Sequence, residues 1–395
     1  MIQKLDKNLN PLKDKFIQLH EKLRTYEFED VIHFHDQLYV FMSRRGFRNN
    51  VLYYQELDKE TLEATSAPVI ITDVRNMMGT WADFHFKLSR KENKLLIVSR
   101  QKIHLSKVQF NEFYVFDAGL ELIWKHKDSY DYEKQGPRYN EYTVDEQGNV
   151  AILSFIKRAT IFDLKKPVKN VYNIYRYTDK GQNFKKYTVA LKYKYIRGIE
   201  LAAGNDGKLI CAGLYSEMFR KGIRGTFFFE IDNNSGSFIN ANIQEFDNAF
   251  LEKMTNKDET LIADEELIGY GVTDLVVREN GTFTMIAEQF FNQTYNTYNN
   301  LLVFNFQQNG LINWKTVVEK KQDYSIHTSY GEMEPQDIRR FLVDSGAIGD
   351  YNTNYCSYAL LAPVDDSKIY LIYNENIKNL KENKKKYYSF NNPRK

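Results

Sequence analysis

The chain has 395 residues with 54 Lys and Arg against 52 Asp and Glu, and its formal charge of only +2 argues against a function that needs a strong overall field, such as nucleic-acid binding. A hydrophobic fraction of 43%, with 28 Tyr and 27 Phe, supplies bulk for a sizeable core, and 7 Pro with 20 Gly form no linker tract that would separate domains. No run approaches the ~20 apolar residues of a membrane helix.

At the start of the chain, Met1 to His20 alternate apolar and charged positions and lack the apolar core of a secretory leader. Within them, Ile2-Gln-Lys-Leu5-Asp6-Lys-Asn8-Leu-Asn-Pro11 reads as a hairpin with an Asp-led turn. A hairpin cue then recurs six times, at His35-Asp36-Gln37, Glu92-Asn93-Lys94, Gln147-Gly148-Asn149, Asp206-Gly207-Lys208, Asn280-Gly281-Thr282 and Asp366-Ser367-Lys368. Each leads into an apolar strand beginning at Leu38, Leu95, Val150, Leu209, Phe283 or Ile369. A second, outer hairpin follows, as in Phe113-Tyr-Val-Phe-Asp117-Ala-Gly119-Leu-Glu-Leu-Ile-Trp124, where Asp opens the turn and Gly supplies positive φ. One four-stranded sheet cannot bury its apolar face alone, so repeats at this spacing predict sheets arranged around an axis.

The expected fold is all-β, a β-propeller of six blades, with seven as the alternative. Its blades fall at about 23–72, 73–130, 131–193, 194–250, 265–322 and 350–395, with 323–349 as an insert. The sixth repeat has an inner pair, Ala359 to Leu361 and Ile369 to Tyr373, but no outer one. The N-terminal hairpin, within 1–22, is expected to complete that blade and remove its open edge. Because the chain opens in mid-repeat, a removed leader and an exported or envelope location stay compatible with it, and the compartment is open. Cys211 and Cys356 fall on elements of different rank, so no disulfide is expected.

The Asp117-Ala-Gly119 turn and the strand carrying Trp124, echoed at Trp314, resemble the hairpins of bacterial propellers of the quinoprotein-like repeat type. That resemblance implies the fold alone: no ligand set of a quinone enzyme can be placed, so dehydrogenase activity does not carry over. The same turn looks like a sialidase Asp-box, with Val115 where Ser or Thr belongs.

With strands lettered a to d outward, the b–c loops of a propeller share one face. They are basic in five repeats: Arg44, Arg45 and Arg48; Arg100, Lys102, His104 and Lys107; Lys157 and Arg158; Arg220, Lys221 and Arg224; and Lys378, Lys381 and Lys384 to Lys386. Such a face suits an acidic glycan or acidic protein, and ordinary surface solvation explains the same residues. The fifth loop instead sets Phe290, Phe291, Tyr295 and Tyr298 among amides, as in sugar or peptide recognition, unless the rings only extend their strands. At the entrance of the innermost strands one position reads Glu29, Asp83, Glu141, Glu200, Asp274 and Ser357. Clustered carboxylates repel, so this ring needs compensation, by arginines such as Arg24, Arg138 and Arg197 or by Ca²⁺ or another hard cation. His33 and His35 share a strand face at a spacing that also suits a metal. Nothing calls for an organic cofactor.

The leading expectation is therefore a non-enzymatic recognition scaffold that takes an anionic glycan or protein on its basic loop face. A polysaccharide hydrolase or lyase using the channel-mouth carboxylates, and a structural envelope component, are the alternatives. Nucleic acid is not expected as a partner, and the oligomeric state is open.

Overall fold

The computed structural model describes residues 2–6, 10–17, 19–21, 24–75, 80–103, 108–131, 139–156, 171–204, 206–218, 222–232, 235–255, 262–263, 266–292, 296–324, 358–361, 368–380 and 390–391. The fold is all-β, and among the described residues four of its sheets are antiparallel meanders of four strands, the unit of a propeller-like fold. Among the described residues, no helix is long and apolar enough to cross a membrane.

Two short hairpins come first, β1 (Ile2–Leu5) with β2 (Pro11–Lys15), and β3 (His20–Glu21) with β4 (Arg24–Thr25). Sheet one contains β5 (Glu27–Phe34), β6 (Gln37–Arg45), β7 (Asn49–Leu57) and β8 (Val69–Arg75) in that order. Sheet two is β9 (Asp83–Leu88), β10 (Lys94–Ile103), β11 (Val108–Asp117) and β12 (Leu122–Asp131). Sheet three is β13 (Tyr139–Val144), β14 (Val150–Ile156), β15 (Val171–Thr178) and β16 (Asn183–Val189). In sheet four, β17 (Tyr195–Ala203), β18 (Leu209–Ser216), β19 (Gly225–Ile231) and β20 (Phe238–Glu245) precede α1 (Asn248–Thr255) and a hairpin of β21 (Ile262–Ala263) and β22 (Glu266–Leu267). Sheet five has six strands: β23 (Tyr270–Val277), β24 (Phe283–Asn292), β25 (Asn296–Phe306) and β26 (Ile312–Val318), with β27 (Gln322–Tyr324) also on β25. After β28 (Ala359–Leu361) and β29 (Tyr370–Ile372), which pair together, β30 (Phe390–Asn391) adds to β27 in parallel.

The turn chemistry follows the sequence. His35 and Asp36, at φ 45° and 64°, form the two-residue turn that closes Phe34 onto Gln37. In the next four inner hairpins the fourth turn residue, Glu92, Gly148, Gly207 or Gly281, is left-handed and donates its N–H back to Ser89, Asp145, Gly204 or Arg278. The sixth cue, at 366–368, lies mostly outside the described residues. Outer turns are capped by Asp: Asp117 Oδ1 accepts from Gly119 and Glu121 N–H, both at 2.9 Å. Here the left-handed residue is Leu120, at φ 57°, and not Gly119 as expected, because Leu120 is the fourth turn residue, returning its N–H to Asp117 O, and Gly119 stands one place before it. In the β1–β2 hairpin, Asp6 likewise accepts Asn10 N–H at 2.8 Å.

Contacts divide the chain into two compact units, Met1–Pro137 with Thr143–Ala151 and Arg176–Lys185, and Arg138–Tyr142 with Ile152–Tyr175 and Lys186–Lys395. In the first, alternate residues of β6 face opposite ways. Tyr39 and Phe41 pack toward sheet two, with Phe41 and Phe86 ring centroids 4.8 Å apart. On the other face, Val40 and Met42 meet Ile2, Ile17 and Leu19, so the N-terminal segment covers sheet one. Trp124 donates Nε1–H to Gly148 O at 2.9 Å, and its ring lies where a Cβ on Gly181, at φ +79°, would approach within 3.0 Å.

In the second unit, sheets four and five share a core in which the Phe228 and Phe283 rings stack at 4.5 Å. Their first strands, β17 and β23, run side by side. Helix α1 seals this core with Phe250, Leu251 and Met254 on one face, and Asp247 caps it by accepting Phe250 N–H at 2.7 Å. Cys211 is a free, buried thiol whose pKa burial pushes up; Cys356 lies outside the described residues.

Candidate functional site

Strands β6 and β7 stay paired as far as Arg45 opposite Asn50, so the loop between them has a tip of only Gly46, Phe47 and Arg48. Gly46 N–H donates to Asn49 O at 2.7 Å and closes it. Phe47 is 91% exposed. Arg48 is exposed and Arg44 half-buried, and neither forms an ion pair among the described residues. Arg45 is 3.0 Å from the Glu27 carboxylate.

The other basic loops differ from expectation. Strand β10 runs to Ile103, paired with Val108, so Arg100 and Lys102 lie inside the sheet and not in a loop. Arg100 is 1% exposed and reaches Asp83 with Nη2 at 3.5 Å. It is a wall residue, not part of an exposed cationic face. Lys102 pairs across with Gln109. Arg224 donates Nε–H to Glu245 at 2.7 Å, which offsets its charge locally. Arg220, Lys221, Lys157, Arg158, His104, Lys107, Lys381 and Lys384 to Lys386 lie outside the described residues.

Aromatic display in the fifth loop is also reduced, because β24 extends to Asn292 and β25 begins at Asn296. Tyr298 is buried, with its ring centroid 4.7 Å from that of Phe290 across the strand pair. Phe291 is half-buried against Gly269, where a Cβ would lie 2.7 Å from its ring. Tyr295 lies outside the described residues.

Each of Glu29, Asp83, Glu141, Glu200 and Asp274 sits on the first strand of its sheet, and Ser357 is outside the described residues. Register separates them. Glu29 is the extra residue of a bulge between Phe28 and Asp30, and Thr273 is its counterpart between Val272 and Asp274. Asp30, Glu200 and Asp274 share one level, opposite Phe41, Ala212 and Ile286, each the fourth residue from the start of the second strand at Leu38, Leu209 or Phe283. Asp83 lies two residues further along, opposite Arg100.

Their environments also differ. Burial pushes Glu29 up to about 7; Ser43 opposes this, Glu27 and Asp83 add repulsion, and Arg45 lowers it slightly. Asp30 is raised by burial, against a hydrogen bond from Val31 N–H at 2.8 Å. Asp274 accepts the Tyr358 hydroxyl. Among the described residues, no three His, Cys, Asp or Glu side chains gather closely enough to hold a metal ion. His33 lies 3.6 Å from the Glu92 carboxylate.

No protein-family model and no curated protein matches the chain. Among solved structures, an uncharacterized protein from Listeria monocytogenes EGD-e aligns at TM-score 0.40 and 9% identity, over 74% of this chain and 67% of that one. A mutant of the Synechocystis apocarotenoid oxygenase aligns at 0.38 and 10% identity, over 76% of this chain and 61% of the oxygenase, so the chain spans about three fifths of that enzyme. A hypothetical protein from Leishmania major aligns at 0.27 and 10% identity, over 66% of this chain and 81% of the other.

Several buried polar groups escaped sequence reasoning. Gln101 donates Nε2–H to Arg75 O at 2.9 Å, and Gln289 to Ile268 O at 3.0 Å. Both stand seventh in their second strand, counted from Leu95 and Phe283, and each holds the connection that precedes its own sheet. An amide recurring at one repeat position was the signal available. Glu266, on β22, accepts the Ser216 hydroxyl at 2.7 Å and Glu217 N–H at 2.8 Å, pinning the chain after β18. Lys320 and Glu288 form a buried ion pair at 2.5 Å, with Gln322 Oε1 accepting from the same ammonium at 3.0 Å. They lie 32 residues apart, with no motif joining them.

Proposed function

We propose that the chain closes as a six-bladed β-propeller and acts as a non-enzymatic recognition scaffold for an anionic glycan or protein. In this arrangement β28 and β29 are the inner strands of the sixth blade and β1–β2 its outer hairpin. The Asp6 cap supports that assignment, since it repeats the Asp-led turns of the other outer hairpins.

The β6–β7 tip carries the binding role. Arg44 and Arg48, with no acidic partner among the described residues, flank in sequence a phenyl ring that is 91% exposed, so the tip offers apolar surface beside positive charge. Binding is expected to weaken as salt rises, because exposed charges are screened. An array of acidic glycans and acidic proteins, probed at low and high salt with wild type and R44E/R48E, tests this. The double reversal should abolish binding without altering the melting temperature. Binding indifferent to both salt and reversal would refute it.

Glu29, raised to about 7 beside Asp83, favours one second reading, acid–base cleavage of a polysaccharide. Polysaccharide turnover that survives in E29Q/D83N would remove it.

A further inference from the structure

Between β16 and β17 the chain makes a short turn in which Tyr193 is left-handed at φ 61°. Bulky residues avoid this region, and yet the ring is 79% exposed and takes no part in the core. Lys192 Nζ lies 5.3 Å from its centroid. Lys194 lies 4.4 Å from the Tyr215 ring and pairs with Glu217. Tyr195 opposite Ser216 sets this turn beside the start of the β18–β19 loop, where Met218 is 42% exposed. An exposed phenol, two ammonium groups and a thioether thus share one end of sheet four. Backbone strain kept at a ring that stays 79% exposed and outside the core points to use beyond the fold.

We propose that Tyr193 is a sugar-stacking residue and that the Lys192–Tyr193–Lys194 turn binds a uronic-acid unit of an anionic polysaccharide. This rests on the recognition role proposed above and names the ligand class. A uronate has an apolar ring face to lie on the phenol and a carboxylate for an ammonium group. Single-stranded nucleic acid is disfavoured, because it calls for successive stacking platforms in a strongly basic groove. Here the turn displays one strongly exposed ring among the described residues, Glu217 offsets Lys194, and the whole chain carries only +2.

The test uses the full chain with polygalacturonate oligomers in isothermal titration, with polyglutamate and a single-stranded oligonucleotide as comparisons. Y193G should lose at least about tenfold in affinity while its melting temperature holds or rises, because glycine accepts this φ freely. Y193F should bind within a few-fold of wild type, and K192Q should weaken binding and reduce its salt dependence. Unchanged affinity in Y193G, a fall in its melting temperature, or wild type that binds an alternative polyanion but not polygalacturonate would each overturn the proposal. Loss in R44E/R48E with none in Y193G would leave the β6–β7 tip standing and sink this inference; the converse would sink the tip alone.

Discussion

Replacing Lys320 by Met removes the ammonium from the Glu288 carboxylate while keeping an unbranched apolar stem in its place. The ammonium lies 2.5 Å from Glu288, 3.0 Å from Gln322 Oε1 and 5.7 Å from the Tyr298 ring centroid. Lys320 and Glu288 are 1% and 3% exposed, so water cannot take over from the lost partner. Breaking a buried pair from one side costs about 3–5 kcal/mol, and the Gln322 acceptor adds about 1 kcal/mol. In K320M/E288M both charges go together and no unpaired charge stays buried, so the double variant should sit within about 1–2 kcal/mol of wild type. Urea unfolding followed by circular dichroism reads this as a midpoint lowered by roughly 1 M or more in K320M and largely restored in the double variant. A single substitution costing under about 1 kcal/mol, or a double variant as unstable as the sum of its singles, would refute a desolvated, mutually dependent pair.

Glu29 binds its proton more tightly in the folded chain than an ordinary carboxyl does, so its contribution to stability is complete below about 4.5 and is lost as pH rises through about 7. Urea midpoints at pH 5 and pH 8 should therefore fall less in E29Q than in wild type; parallel losses would contradict this. At Gly310, with φ +82°, a Cβ would lie 2.0 Å from Phe228 Cδ1, so G310A should cost about 3 kcal/mol. In G46A the close contact is with the movable Asn49 amide, the Asn49 backbone oxygen standing at 3.4 Å, so the variant should stay within about 1 kcal/mol by urea unfolding. W124F loses the hydrogen bond to Gly148 O and should cost about 1–2 kcal/mol by urea unfolding.

Periodicity and turn residues read well in this chain. The turns at His35, Glu92, Gly148, Gly207 and Gly281 follow from local chemistry and stand where the sequence puts them. Strand ends did not read so well. Composition puts Arg100 in a loop and leaves Tyr298 open between loop and strand, whereas continued pairing to Ile103 and to Asn292 holds both in the sheets. Bulges are equally silent in sequence: one inserted residue moves Glu29 off the level of Asp274 and puts Asp30 there. Tyr193 has no mark in the sequence for another reason, since exposure of an aromatic is a property of the folded surface that residue type alone does not reveal.

The paired roles of Gln101 and Gln289 bear on how such a chain can be cut or recombined. Each amide is synthesised after the carbonyls it holds, so the linker ahead of a meander stays unanchored until that meander's second strand has left the ribosome. The transferable module therefore begins upstream of the first strand, and a chimera joined at the strand itself would part a glutamine from its acceptor.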